Sequence, residues 1–310
     1  MTVSSATSAD LAAIVTKLRA AGCVFAEDEA RLLAASARTP ADLAAIVDRR
    51  VSGSPLEHVL GWADFCGLRI AISDGVFVPR RRSEFLVRQA VAVAVALTEA
   101  SARAGAESGT EAGAESRAEA FAPAAACTAG QPGQEQHRRP VIADLCCGSG
   151  AIGIAVAAAL SGAELYATDI EPAAVACARQ NIAKAGGRVY EGDLYDPLPA
   201  SLRGRIDILV VNAPYVPTSE IALLPAEARL HEPAIALDGG SDGVDVHRRV
   251  AAAAPGWLAP DGSLLIETSD RQATTTAAAM TASGLVPAIT RDDDLDATVV
   301  IGSQDRQRRR

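Results

Sequence analysis

The feature that most constrains the fold is the regular alternation, from Val141 onward, of short apolar runs with alanine-rich helical stretches. Strands separated by helices pair in parallel, and the helices then cover both faces of the sheet. The alternation therefore predicts an α/β, Rossmann-like fold with a mostly parallel sheet. The predicted strands are Val141–Leu145, Glu164–Asp169, Arg188–Glu191, Ile206–Asn212, Ser263–Thr268 and Thr298–Gly302.

The first fifty residues carry helical spacing instead. We expect a first helix after a Ser8 cap, a second over Glu27–Ala37, and a third that begins at Thr39 and Pro40, where a capping hydroxyl precedes proline at the first helical position. After Gly53 the period changes to two around the turn signal Ser73 to Gly75, which predicts a hairpin.

The segment 99–139 differs from the rest of the chain because it is rich in Ala, Gly, Ser and Glu and contains no Ile, Leu, Val or Met. Such a composition buries too little apolar surface to offset the entropy of ordering. We expect a flexible insertion there, with a partial alanine-driven helix as the alternative. The predicted organisation is a helical unit at 1–56, a hairpin connector at 57–80, and an α/β domain at 81–310 that contains this insertion.

A glycine turn, Gly148-Ser149-Gly150, follows the first predicted strand and opens a helix. This is the setting in which backbone approaches a nucleotide, although a tight turn that needs glycine for positive φ explains the same residues. Asp169 ends the next strand at the spacing expected of a group that accepts ribose hydroxyls, and Asp193 closes a third strand. The series predicts a nucleoside pocket at the carboxyl edge of the sheet.

The fourth strand ends in Asn212-Ala213-Pro214-Tyr215. This tetrapeptide resembles the (N/D)PPY signature of enzymes that methylate amino and amide nitrogens, and an Asn-turn is the alternative. An amide nitrogen is a poor nucleophile because its lone pair is delocalised, so it needs acceptors on its hydrogens to aim it. Asn212 would supply one oxygen and the carbonyl of Ala213 or Pro214 a second, while Tyr215 stacks on the amide plane.

Together, residues 50–80 and 141–302 resemble the HemK/PrmC family of protein-(glutamine-N5) methyltransferases, which act on the Gly-Gly-Gln loop of peptide chain release factors. Besides the tetrapeptide, the resemblance rests on several short motifs and on Glu267 and Gln272. The motifs are Gly53-Ser54-Pro55-Leu56, Leu60-Gly61, Val78-Pro79-Arg80, His231-Glu232-Pro233 and Leu237 to Gly243.

The resemblance implies a class I S-adenosylmethionine-dependent methyltransferase with a seven-stranded sheet, whose N-terminal helices help dock a protein substrate. S-adenosylmethionine is the implied cofactor. The residues implied to contact it are Asp144, Cys146, Gly148, Ser149, Gly150, Asp169, Asp193, Leu194 and Asn212. Asn212, Pro214 and Tyr215 are implied to be catalytic, and with Ala213 they would bind the substrate.

Three departures from the family pattern suggest a paralogous branch with a different substrate. Ala213 replaces the first proline of the tetrapeptide, and Cys146 replaces the first glycine of the turn. Arg81 and Arg82 replace a proline and a glutamate, which inverts the charge near the cofactor entrance. We interpret Cys146 and Cys147 as small buried thiols, because adjacent cysteines lack the spacing of a metal or redox pair.

Composition restricts the partners. The net charge of −9 repels phosphate backbones, which argues against strong nucleic-acid binding and against the alternative of methylating RNA or DNA. A second alternative is an adaptor that binds the cofactor without turnover. The sequence carries no metal-site spacing, leader or membrane-length apolar run, so we expect a cytoplasmic protein without a bound metal. The histidines are interpreted as structural, and a monomer is favoured although the sequence leaves the oligomeric state open.

Overall fold

The computed structural model describes residues 7–111 and 139–304. The N-terminal part is helical. The helices α1, α2 and α3 pack around Leu18, Leu33 and Val47, and a short helix α4 follows them. Their bounds are α1 Ser8–Ala20, α2 Ala26–Ser36, α3 Pro40–Val51 and α4 Leu56–Leu60.

Capping explains two of these helix starts. The hydroxyl of Thr39 accepts the Asp42 N–H, and Pro40 occupies the first turn, as the sequence predicts. The Ser8 cap was wrong by one residue. Thr7 accepts the Asp10 N–H and the Asp10 carboxylate accepts the Thr7 N–H, so the two residues form a capping box.

The hairpin lies earlier than the turn signal predicted. Strand β1 (Trp62–Phe65) pairs antiparallel with β2 (Leu68–Ala71), and Cys66 and Gly67 form the turn with φ of 50° and 71°. Two central residues with positive φ match the twist of a tight hairpin. Cysteine is uncommon in that conformation, so Cys66 does not indicate a turn in the sequence. Ser73 to Gly75 instead make an ordinary turn after β2, closed by the Val76 N–H on the Ser73 carbonyl.

A single sheet of seven strands follows, ordered β5-β4-β3-β6-β7-β9-β8. The pairs among β5, β4, β3, β6 and β7 are parallel, and β9 pairs antiparallel with β7 and β8. The predicted α/β, Rossmann-like fold is confirmed. The strands are β3 Val141–Leu145, β4 Glu164–Asp169, β5 Arg188–Glu191, β6 Ile206–Val211, β7 Leu258–Thr268, β8 Leu285–Asp292 and β9 Ala297–Gln304.

Helices cover both faces of this sheet. One apolar core joins it to the hairpin, α5 and α6, and a second lies on the opposite face around Leu209, Trp257 and Leu264. The helices are α5 Glu84–Glu111, α6 Ala151–Ala159, α7 Pro172–Ile182, α8 Ala226–His231, α9 Asp245–Ala253 and α10 Asp270–Ala282.

Helix α5 bears on the predicted insertion, because it continues to Glu111 and so enters the segment 99–139. The start of that segment is therefore helical, which is the alternative given above. The rest of it, residues 112–138, lies outside the described residues. Within the described part of the chain, no helix is both long and apolar enough to cross a bilayer.

Candidate active site

The chain order reverses between β3 and β6, because β4 and β5 extend the sheet on one side of β3 and β6 begins the other. Ligands of such sheets bind in the crevice at the carboxyl ends of the strands at this point. A cavity of about 610 Å³ lies there. It is lined by most of the predicted site residues, namely Cys146, Gly148, Ser149, Asp169, Asp193, Leu194, Asn212, Ala213, Pro214 and Tyr215.

Two predicted site residues do not line it. Asp144 is 1% exposed, and its carboxylate accepts the Gly153 N–H at 2.8 Å. It therefore links the first turn of α6 to strand β3. Burial raises the pKa of Asp144 to about 7. Gly150 precedes α6 with φ of 77°, and a Cβ there would lie 2.8 Å from the Ile182 side chain. Their positions favour supporting roles over direct cofactor contact.

The glycine turn and Asp169 hold one another. Gly148 donates its N–H to one Asp169 oxygen at 2.8 Å, and Glu171 donates its N–H to the other at 2.9 Å. Each carboxylate oxygen can accept a second hydrogen bond, which leaves capacity for a ligand hydroxyl. Burial raises the pKa of Asp169, and the two backbone donors counteract that rise.

The structure accommodates Cys146 at the position where the family has glycine. Its φ is 55°, in the left-handed region that glycine adopts without strain. Burial raises the thiol pKa of both Cys146 and Cys147, so both stay protonated at neutral pH. The described residues contain no cluster of three or more His, Cys, Asp or Glu side chains that could hold a metal ion.

The turn after β5 completes this side of the cavity. Leu194 also has positive φ, at 48°, and its carbonyl accepts the buried Thr168 hydroxyl at 2.8 Å. Arg249 of α9 donates to the Asp193 carboxylate at 2.5 Å. Since β4 and α9 both fasten this turn, its backbone is fixed at the cavity wall.

Asn212 follows the last residue of β6, and its side-chain nitrogen donates to the Ser83 hydroxyl at 3.3 Å. With the nitrogen engaged there, the amide oxygen is left for the cavity. Ala213 is buried at 2% exposure, so a methyl group fills the place of a proline ring. Burial, together with the nearby Glu267, raises the pKa of Tyr215 to about 12, so its ring is neutral at physiological pH.

The backbone around Tyr215 is held by tertiary contacts. Gln272 of α10 donates from its side-chain nitrogen to the Tyr215 carbonyl at 2.8 Å and to the Asp242 carbonyl at 3.0 Å. A Cβ at Gly239 would come 2.7 Å from the Tyr215 Cα, and one at Gly243 would come 2.3 Å from the Tyr215 oxygen. The glycines of the Leu237 to Gly243 motif therefore permit the close approach of two loops.

Several residues that build this cavity have no predicted role, because their partners are distant in sequence. Glu232 accepts hydrogen bonds from Arg80 and from the Val78 N–H, which joins the connector to the loop after β6. Asn181 of α7 donates to the Ser149 carbonyl and pairs with the backbone of Ala71. Only the family motifs indicated some of these positions.

The residues present fit an S-adenosyl group. Apart from Gly148 and its two chain neighbours, no described residue has an atom within 4 Å of the place that a Cβ would take at Gly148, so a ligand can approach the backbone closely there. Asp169 offers acceptor capacity for ribose hydroxyls, and Ile170 and Leu194 provide apolar surface beside it. We expect these residues to hold the nucleoside part of the cofactor.

Known proteins resemble this chain over most of its length. Residues 134–240 match the family of the Methyltransferase small domain. The chain is 32% identical over 270 residues to the release factor glutamine methyltransferase of Geobacter sulfurreducens, covering 86% of this chain and 79% of that protein. It is 42% identical over 128 residues to the ribosomal protein uL3 glutamine methyltransferase of Bordetella pertussis, covering 40% and 42%.

A methyltransferase structure from Pyrococcus furiosus aligns with 54% of this chain and 76% of its own, at 15% identity and a TM-score of 0.41.

Proposed function

We propose, from the premise that this chain belongs to the family of release factor glutamine methyltransferases, that it methylates the side-chain amide nitrogen of a glutamine in a protein of the translation machinery. The chain is an S-adenosylmethionine-dependent methyltransferase. One observation carries the proposal. The predicted acceptor residues Asn212 to Tyr215 line the same cavity as Gly148 and Asp169.

The chemistry follows from the groups at this edge. When bound, S-adenosylmethionine supplies an electrophilic methyl group on a sulfonium. The Asn212 oxygen and the carbonyl of Ala213 or Pro214 accept the two hydrogens of the substrate amide, so that its nitrogen lone pair is aimed at that methyl group. The neutral Tyr215 ring stacks on the amide plane. The cofactor would give up its methyl group and leave as S-adenosylhomocysteine, and one amide proton of the substrate would pass to solvent.

The charge around the cavity supports a protein substrate. Acidic side chains line the cavity beside its arginines, and the net charge of −9 provides no field that attracts a nucleic acid. The acidic side chains are Glu57, Asp169, Glu171, Asp193, Glu227, Glu232 and Asp238. A glutamine in a protein loop is therefore favoured over an exocyclic amino group of RNA or DNA.

We also propose that the N-terminal helices contribute to substrate docking. Arg50 of α3 forms a buried pair with Glu29 and lies 3.6 Å from Glu227 of α8, so the helical unit is tied to the loop region that follows Tyr215. Pro55 and Glu57, at the start of α4, line the cavity. A substrate that enters the cavity would therefore meet both parts of the chain.

The test is methyl transfer from tritiated S-adenosylmethionine to three acceptors, a bacterial release factor with its Gly-Gly-Gln loop, ribosomal protein uL3, and total RNA. We expect label on the release factor at the loop glutamine, located by mass spectrometry. A release factor with that glutamine changed to glutamate is the control. Label on RNA alone, or cofactor binding without transfer to any acceptor, would contradict the proposal.

A further inference from the structure

The Asn212 carboxamide is hydrogen-bonded to a residue from another part of the chain. Its nitrogen donates to the hydroxyl of Ser83, which is 1% exposed and lies in the turn before α5. A carboxamide can present either its oxygen or its nitrogen to a ligand. Methyl transfer to an amide nitrogen needs the oxygen to face the substrate, so the group behind Asn212 decides whether the site is competent.

A buried carboxylate lies behind Ser83. Glu267, the penultimate residue of β7, is 2% exposed, and neither of its side-chain oxygens has a hydrogen-bond partner in the described part of the chain. The Arg82 guanidinium is 3.7 Å away. Burial raises the pKa of Glu267, whereas the Ser83 hydroxyl and Arg82 lower it.

This placement is costly for folding. An incompletely paired buried carboxylate destabilises a protein, and apolar side chains of similar volume commonly replace buried ion pairs without loss of stability. Glu267 is not among the described residues that line the cavity. Its nearest charged group is Arg82, and the chain neighbour of Arg82 is Ser83, whose hydroxyl contacts Asn212.

We propose that Ser83 and Glu267 are positioning residues that set the orientation of the Asn212 carboxamide; the inference rests on the proposed function only through the role of Asn212. A serine hydroxyl has one proton. When the Ser83 hydroxyl donates that proton in a hydrogen bond to the Glu267 carboxylate, the serine oxygen can only accept a further bond, so Asn212 must turn its NH₂ toward Ser83 and its oxygen toward the substrate. Arg82 supplies the positive charge that favours the ionised carboxylate. The 3.3 Å bond from Asn212 to Ser83 is long, as catalytic hydrogen bonds often are in the absence of substrate.

The test uses Ser83→Ala, Ser83→Thr and Glu267→Gln with a bacterial release factor as acceptor. Removing either partner should lower kcat by about tenfold, while KM for S-adenosylmethionine stays within about twofold of the wild type. Ser83→Thr keeps the hydroxyl and should regain most of the activity. The double variant should lose no more than Ser83→Ala, since residues that act as one unit are not additive.

Thr268→Val is the matched control. Thr268 is the next residue of β7, is equally buried, points to the opposite face of the sheet, and has a hydroxyl without a hydrogen-bond partner in the described residues. It should leave kcat unchanged. Additive losses in the double variant, wild-type kcat in Ser83→Ala, or equal losses in the control would overturn the proposal.

A second readout does not need turnover. The side-chain NH₂ resonances of Asn212, identified by their loss in Asn212→Ala, should shift in Ser83→Ala and Glu267→Gln and stay in place in Thr268→Val. If the wild type transfers no methyl group, the proposed function fails and these spectra alone decide the positioning. Resonances unchanged in both variants would overturn it.

Discussion

The two sides of the cavity are built differently. On the cofactor side, after β3 and β4, a backbone N–H at Gly148 and the Asp169 carboxylate hold each other through neighbouring parallel strands. On the acceptor side, after β6, Asn212 is held by Ser83 from 129 residues away and the Tyr215 carbonyl by Gln272 from 57 residues away. One side follows from the strand-turn-helix pattern itself, whereas the other exists only when distant segments have packed.

The sides also differ in charge. The cofactor side gathers carboxylates, and burial raises the pKa of both Asp144 and Asp169. The acceptor side carries arginine, with the Arg82 guanidinium 5.8 Å from the centre of the Tyr215 ring. The sequence predicted that arginines invert the charge near the cofactor entrance. The structure places Arg82 on the acceptor side, beside the Tyr215 ring.

Asn212→Ala should have the largest effect, because it removes an acceptor from one side of the cavity and leaves the cofactor side intact. Loss of an acceptor that aims the nucleophile should lower kcat by about 100- to 1,000-fold, because such oriented dipoles act mainly in the transition state. Affinity for S-adenosylmethionine, measured by calorimetry, should fall by no more than a few fold. Retained turnover would remove the acceptor site from this tetrapeptide.

Asp169→Ala should show the reverse pattern. Removing the carboxylate deletes the predicted acceptor for ribose hydroxyls and releases the Gly148 N–H, so affinity for S-adenosylmethionine should fall by about 10- to 100-fold. At saturating cofactor, kcat should recover most of its wild-type value. A large fall in kcat with unchanged affinity would show that the two sides are not separable in this way.

Asp144→Asn tests whether the cofactor side is under electrostatic strain. The folded pKa of about 7 lies above the model-compound value of 3.8, so ionising Asp144 destabilises the fold as pH rises between those values. Relative to wild type, the variant should gain unfolding free energy from pH 5 to pH 8.5, on the order of 2 kcal/mol. Urea unfolding measures this, with exposed Asp64→Asn as control. An equal difference at both pH values would contradict the assignment.

Gln272→Ala should give the smallest effect. It tests how far the acceptor side depends on support of its backbone by α10. It frees the carbonyls of Tyr215 and Asp242, which loosens the aromatic ring without removing it. We expect kcat/KM for the release factor to fall by about fivefold, with cofactor affinity unchanged. Thr275→Ala, an exposed position on the same helix, is the matched control. A loss of cofactor affinity equal to the loss in kcat/KM would instead indicate global loosening.

Most strands of the sheet could be predicted from the sequence, but the edge strand β8 could not. Strands β3 to β5 were predicted with their observed bounds, because their apolar runs are bounded by turn residues. Strand β8 lies at the sheet edge, is mostly half-exposed and contains Pro287, so it has neither a clean alternation nor an uninterrupted apolar run. The hairpin turn was missed because Cys66 stands where Asn or Gly is typical.

By itself the sequence determined the α/β architecture and the chemistry at the strand ends, because period, glycine placement and the polar residue after each strand are local properties. Tertiary structure alone decided what supports that chemistry. Ser83 reads as a helix start and Glu267 as a residue within an apolar strand, and nothing in either neighbourhood pairs them with Asn212. Their relation arises when α5 and β7 pack beside the end of β6, since the partner of a buried polar group is fixed by the whole fold.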